Sequence, residues 1–276
     1  KLQEHNNSLL YDQFHDRIGE IVLGEVHHIR KQHAILLDEE GNEFILPKEN
    51  QIPSDFYKKG ETVRAVIEKV DFKGSKPLII VSRTSPVFLE KLLELEIPEI
   101  QDGTIMLKKV VRIPGEKAKI AVDAYDDRID PVGACVGVKG SRIHGVVREL
   151  RNENIDVIQW SKNPEIMVKR ALGNVTINKI EINIERNYAL VFTPIEEISR
   201  VIGKQGQNIR LASWLSGFEI DVHREVEGED VELTEFGDEI QEWIIKEFTK
   251  IGLNTARSIL DKDTDALVNL VDLEEE

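Results

Sequence analysis

Two stretches of this chain read almost alike: VGVKGSRI, Val136–Ile143, and IGKQGQNI, Ile202–Ile209, with their glycine pairs 66 positions apart. The hydrophobic pattern around each runs in the same order, and an internal repeat of this kind restricts the fold more than either motif alone. In the first copy, Val87, Leu89, Leu92, Leu93 and Leu95 mark an amphipathic helix that ends before Pro98. The strands TIMLKKVVRI and AKIAVDA follow around the Pro114-Gly115 turn, and Asp130-Pro131 supplies a helix cap and a first-position proline. After Gly137–Gly140, the residues Ile143, Val146, Val147 and Leu150 share one helical face, ahead of the strand IDVIQW. The second copy gives the helix PEIMVKRAL, the strands NKIEINIE and YALVF around Arg186-Asn187, the helix IEEISRVI, the glycines, the helix QNIRLASWL and the strand FEIDVHRE. Thr193-Pro194-Ile195-Glu196 reads as a capping box with proline in the first helical turn. Two αββααβ units are therefore predicted, over residues 86–163 and 164–228. The strand ending at Trp160 leads almost directly into the helix starting near Pro164, so the units are expected to pack as one rigid surface.

One glycine pair at this spacing is weak as a motif; two in matching helical frameworks are specific. In each, the glycines end one helix and open the next through a turn that a Cβ atom would hinder. Such a loop exposes backbone N–H groups with no side chain in front of them, and the following helix points its positive dipole end at the same space. That chemistry suits phosphate. The candidate binding residues are Gly137, Val138, Lys139, Gly140, Ser141 and Arg142 in the first loop, and Gly203, Lys204, Gln205, Gly206, Gln207, Asn208 and Arg210 in the second. Lys139 and Lys204 add a cation, and Arg142 and Arg210, one turn on, are placed to reach the next phosphate. The competing reading is a tight helix–helix turn with solvated lysines.

Upstream, residues 18–84 alternate in strand fashion: EIVLGEV, AILLD, NEFIL, TVRAVIEKV and LIIVSR, separated by turns at Glu40-Gly41-Asn42, Lys59-Gly60 and Lys73-Gly74-Ser75. Five short strands in this length predict a small barrel of the oligonucleotide-binding (OB) type. Phe44, Phe56, Tyr57 and Phe72 are its aromatics, shared between core and base stacking, and His27, His28 and His33 read as strand-surface residues. Residues 1–17 read as the end of a helix whose partner lies upstream, and the opening Lys1 in place of Met suggests an excised fragment.

A hydrophobic content of 41% and a charged content of 32% describe a folded chain, and no apolar run approaches the roughly 18 residues of a membrane span. No signal peptide is evident. The single cysteine, Cys135, sits in the apolar run VGACV as a small buried side chain and fits a cytoplasmic location. A net charge of -15 opposes binding to a polyanion, but residues 229–276 carry fifteen acids against four bases, leaving only -4 for residues 1–228. This acidic segment is expected to compete with a polyanion for the basic loops. Within it Phe236, Ile240, Ile244, Phe248 and Ile251 form one helical stripe, and LNTARSILDKDTDALVNL looks like part of a helix-hairpin-helix repeat.

The αββααβ order with GVKG and GKQG resembles two bacterial-type (type II) KH domains, in which the GXXG loop clamps the backbone of about four nucleotides beside a hydrophobic groove. By that resemblance Ile143 and Ile209 belong to the groove. The whole, a multidomain α+β chain with an OB-fold barrel, two KH domains and a helical C-terminal segment, resembles the NusA family of bacterial transcription elongation, termination and antitermination factors. The stretches RIGEIVLGEV, RIDPVGACVGVKGSRI and IGKQGQNIRLASWLSG carry that resemblance. It implies a monomeric RNA-binding factor with no catalysis, cofactor, metal or membrane attachment. Single-stranded RNA is then its partner, with RNA polymerase bound mainly through a domain absent from this fragment, and other transcription factors as further partners. Two other classes stay open: an accessory region of an RNA-processing nuclease, with Asp123, Asp126, Asp127 and Asp130 as a Mg²⁺ cluster, and a protein-binding scaffold with degenerate KH domains. No HExxH or contiguous phosphate-loop motif is present.

Overall fold

The computed structural model describes residues 2–74, 76–224, 231–237, 240–260, 262 and 267. Two compact units result, Lys1–Arg224 and Glu225–Glu276. The first opens with α1, Leu2–His15, followed by β1 Ile21–Ile29, β2 His33–Leu37, β3 Glu43–Pro47, β4 Thr62–Lys73 and β5 Lys76–Ser82. These strands close a barrel in the order β1-β2-β3-β5-β4, with β3 and β5 parallel and the other pairs antiparallel. Alternation along β2 and β3 turns Ala34, Leu36, Phe44 and Leu46 inward, and Gly24 lets the wall close, since a Cβ there would lie 2.7 Å from the Leu36 Cβ.

α1 packs on the end of the barrel. Phe14 is buried edge-on against Phe44, with ring centroids 5.5 Å apart, and Tyr11 stacks on Phe72 at 4.5 Å. An apolar barrel end that would otherwise face water supplies the surface the helix needs.

The first repeat comprises α2 Pro86–Glu96, α3 Pro98–Gln101, β6 Ile105–Ile113, β7 Lys117–Ala124, α4 Pro131–Val136, α5 Ser141–Glu149 and β8 Asn154–Gln159. The second comprises α6 Pro164–Leu172, β9 Lys179–Asn183, β10 Tyr188–Thr193, α7 Ile195–Ile202, α8 Gln207–Ser216 and β11 Glu219–Arg224. The sheets share one topology: the middle strand, β7 or β10, is antiparallel to the strand before it and parallel to the last.

Burial fuses the modules. Ile52 and Val66 of the barrel belong to the core of the first repeat, with Phe88, Leu89 and Leu92. The outer face of the first sheet, through Val111, Ala121 and Ile158, packs on Met167, Val168, Leu211 and Leu215 of the second repeat. A shared apolar core, more than the shortness of the connection, makes the two repeats one body.

Two local expectations are corrected. Thr193 does not cap α7: it is fully buried at the end of β10 and its hydroxyl donates to the Thr176 carbonyl at 2.6 Å, leaving Pro194 as the capping residue with no side-chain bond. The predicted stripe of Phe236 to Ile251 is not one helix. Leu233–Phe236 is a single 3-10 turn, α9 starts at Glu242 and runs to Lys250, and a short α10 spans Ala256–Leu260. In this second unit Leu233, Ile245, Phe248 and Leu253 form a small core, while Ile251 is exposed. Ser75, the acids Glu229, Asp230, Asp238, Glu239, Asp261, Asp263, Asp265, Asp272 and 274–276, and most of the expected hairpin repeat after Leu260 lie outside the described residues. Among the described residues no helix is long and apolar enough to cross a membrane.

Candidate nucleic-acid interface

Asp130 caps α4, accepting from the Val132 N–H at 3.1 Å with Pro131 in the first turn, and α4 then stops at Gly137. Gly137 adopts φ 74°, ψ 173°, a conformation essentially closed to residues with a Cβ. Lys139 follows at φ 53°, ψ 28° and Gly140 at φ 78°, ψ 13°. The second loop repeats these values: Gly203 at 74° and 175°, Gln205 at 53° and 27°, Gly206 at 72° and 13°. Hydrogen bonding repeats as well, with Gly137 and Gly203 donating to the carbonyls of Gly133 and Ser199 at 2.9 Å, and Gly140 and Gly206 to those of Gly137 and Gly203 at 3.1 Å. One backbone shape has been built twice from different side chains.

The paired glycines do different work. A Cβ on Gly137 would lie 2.8 Å from Arg142 Cγ, and one on Gly203 would lie 2.6 Å from Asn208 Cβ, so the first glycine of each loop admits the helix that follows. The second glycine supplies the left-handed turn; a Cβ on Gly206 would meet open space. Neither α5 nor α8 has a side-chain cap, because Gly140 and Gly206 occupy the capping positions. The first N–H of each helix is taken within the loop, Ser141 by the Val138 carbonyl and Gln207 by the Lys204 carbonyl, and the dipole end behind it carries no side-chain cap.

The predicted side chains divide into those that face outward and those the fold consumes. Lys139 is exposed and, among the described residues, makes no ion pair; Val138 beside it is 82% exposed, an apolar side chain held in water at the loop tip. Ser141, Gln205 and Arg210 face solvent, with Arg210 Nη2 3.4 Å from the Gln205 carbonyl. Lys204 is exposed but lies 3.5 Å from Glu116 Oε2, which Gln207 Nε2 also approaches at 3.5 Å.

Arg142 is engaged within the fold. It donates to both oxygens of Glu99 at 2.8 and 2.9 Å and to the Ala134 carbonyl at 2.8 Å, pinning α5 to α3 and α4. These bonds hold the Glu99 carboxyl below its usual range. Asn208 is buried and its amide donates to the carbonyls of Leu172 and Val201, each at 3.0 Å, satisfying the C-terminal ends of α6 and α7. Its amide nitrogen thus serves the shape of the loop. Ile143 is buried in the first core and Ile209 partly buried in the second, beside the loops but below their surface.

On the barrel, Phe44 and Tyr57 are buried and Tyr57 donates to Asp55, Phe72 has one face covered by Tyr11, and Phe56 is the aromatic left open, at 72% exposure. His27 and His28 are exposed and meet edge to face, and His33 is half-buried. The outward row across β2, β3 and β5 is Ile35, Ile45 and Ile80, aliphatic where a base-stacking surface needs rings. The carboxylates at 123–130 do not converge: Asp126 pairs with Arg128, Asp123 lies 3.7 Å from Lys108, and Asp130 is the cap of α4. Among the described residues no group of three acidic, histidine or cysteine side chains is placed to hold a metal ion.

Comparison with known proteins agrees with this geometry. Residues 83–160 match the NusA-like first KH domain and residues 164–230 the NusA-like second KH domain, together more than half of the chain. The transcription termination/antitermination protein NusA of Halalkalibacterium halodurans is 40% identical over 235 residues, 85% of this chain and 61% of the relative. Those of Bacillus subtilis and Thermus thermophilus are 37% and 36% identical, over 84% and 80% of this chain and 62% and 57% of theirs. The chain thus spans about three fifths of the length of the curated relatives it matches. With two GXXG loops of one backbone shape, each inside a domain that matches its NusA-like KH counterpart, the chain belongs to the NusA family.

Proposed function

We propose that this chain is an RNA-binding transcription termination and antitermination factor that grips single-stranded RNA by its backbone at two GXXG loops on one rigid body, and that it catalyses no reaction on that RNA. The observation that carries this reading is the identity of the two loops, in dihedral angles and in hydrogen bonds, despite different residues at their centres. The shape persists through a change from Val138-Lys139 to Lys204-Gln205, as a backbone cradle for a repeating phosphate requires. The aliphatic outer row of the barrel gives it a smaller part in stacking bases. RNA polymerase and further transcription factors are the other partners that membership of the family implies, and a cytoplasmic monomer fits that role.

Gly206→Asp is the sharpest probe, because its Cβ enters open space and Asp tolerates the left-handed region while adding an anion where a phosphate sits. Combined with Gly140→Asp, it is expected to weaken binding to an unstructured oligoribonucleotide at low salt without unfolding the protein. Equal affinity for the folded double variant and the parent protein would refute the clamp.

A further inference from the structure

Apart from the loops themselves, the cleft between the sheet of the first KH domain and the helices of the second gathers positive charge. It encloses about 680 Å³, with Lys117, Lys119 and Asp156 on one wall and Arg170, Lys204 and Gln207 on the other. Lys117 and Lys119 are two apart on β7 and so share one face of the sheet. Both ammonium groups reach the same atom, Asp156 Oδ2, at 2.9 and 2.8 Å. One carboxylate cannot balance two cations. Lys119 is fully buried and must keep its counter-ion, whereas the Lys117 side chain is 23% exposed, so the surplus charge is the one that faces the cleft. Arg170 adds to it, since its partners among the described residues are the neutral carbonyls of Gln159 and Trp160.

An anion already marks the opposite side. Glu116, next to Lys117 in the chain, places Oε2 3.5 Å from both Lys204 Nζ and Gln207 Nε2, at the uncapped start of α8. These contacts are long and the Glu116 side chain is 50% exposed, so exchanging it for another anion costs little.

We propose that the cleft is a third phosphate station, joint to both KH domains, in which a backbone phosphate of the bound RNA displaces the Glu116 carboxylate from Lys204 and Gln207 and is met by Lys117 from the other wall. The inference rests on the RNA-holding reading of the loops. Neither domain contains the station alone, so it reads the spacing between domains as well as charge. Glu116 acts as a placeholder that lowers RNA affinity while it holds the position.

The test is a salt titration of binding between the full chain and a labelled, unstructured single-stranded RNA dodecamer, for the parent protein, Lys117→Gln, Glu116→Gln and Lys139→Gln. Lys117→Gln leaves Asp156 paired with Lys119, so the fold is expected to persist, checked by the melting temperature. It is expected to lower affinity about threefold near 0.1 M salt and to flatten the slope of log K against log salt by about 0.7, the loss of one phosphate contact on a single strand. Glu116→Gln is expected to raise affinity roughly two- to fivefold, the range of an exposed ion pair. If Lys139→Gln weakens binding while Lys117→Gln and Glu116→Gln change neither affinity nor slope, the station falls and the loop clamp stands. If none of the three has an effect, the clamp falls too.

Discussion

Arg83 Nε lies 2.9 Å from Asp55 Oδ2, with the two side chains 4% and 0% exposed, at the junction of the barrel and the first KH domain. The same guanidinium donates to Glu149 Oε1 at 2.8 Å and to the Glu149 carbonyl at 2.9 Å, so one side chain ties the barrel to the end of α5. Beside it Arg112 and Glu153, 1% and 0% exposed, pair at 2.6 Å, and Arg112 also binds the carbonyls of Arg83 and Ser85. Such pairs add little stability over a well-packed apolar substitute, but each member depends on the other.

Removing one partner is therefore the costly change. Arg83→Ala is expected to lower the unfolding free energy by about 3 kcal/mol, because buried Asp55 loses its buried counter-ion and keeps only the partly exposed Arg151, 3.0 Å away, and the Tyr57 hydroxyl. Urea denaturation followed by circular dichroism measures this. A loss below about 1 kcal/mol would show that the junction is held by apolar packing alone.

Acid should loosen the same junction. Burial opposes charge on Asp55, but the Arg83 guanidinium and hydrogen bonds from Tyr57, Arg83 and Arg151 outweigh it and hold the carboxyl below its ordinary 3.8. At Asp156 burial is likewise outweighed, by Lys119 and Lys117. A folded-state value below the unfolded one contributes stability above the unfolded value, lost as pH falls through the folded one. The melting temperature is thus expected to be level near neutral pH and to fall below about pH 4. A melting temperature unchanged down to pH 2.5 would contradict these assignments.

The glycines of one loop should respond unequally to alanine. Gly206→Ala meets no atom and carries the left-handed strain of about 1–2 kcal/mol. Gly203→Ala adds a 2.6 Å clash with Asn208 Cβ to a conformation closed to other residues, and its loss of stability should exceed that of Gly206→Ala. Thermal melts of the two variants decide; equal losses would mean that the loop relaxes freely.

Asn208→Ala should cost about 1–3 kcal/mol by orphaning the carbonyls of Leu172 and Val201. If instead it reduced RNA affinity with no change in stability, Asn208 would be a contact residue.

Cys135 is fully buried, and burial lifts its thiol to about 11. Alkylation by iodoacetamide at pH 8 is expected to track global unfolding of the first unit; rapid labelling of the folded protein would show an open core.

What the sequence displays clearly is whatever depends on near neighbours. The glycine spacing, the Asp130-Pro131 cap and the alternation of β2 and β3 are local, and the backbone follows them. Long-range partnerships leave no such trace. Arg142 one turn beyond the loop has the position of a phosphate ligand, yet Glu99, 43 residues earlier, claims it. Asn208 looks like one more polar loop residue until α6 and α7 bring their carbonyl ends to it. Thr193 has the signature of a cap, but the strand before it turns the hydroxyl toward Thr176. Lys119 sits in the strand AKIAVDA with no local mark of its burial, which follows from the second KH domain closing over the first sheet.

The most direct measurement is photo-crosslinking of one bound single-stranded RNA, with the attached peptides mapped by mass spectrometry. Crosslinks are predicted within both Gly137–Arg142 and Gly203–Arg210 on the same protein molecule. Crosslinks confined to the barrel, or to surfaces remote from both loops, would contradict the twin cradle.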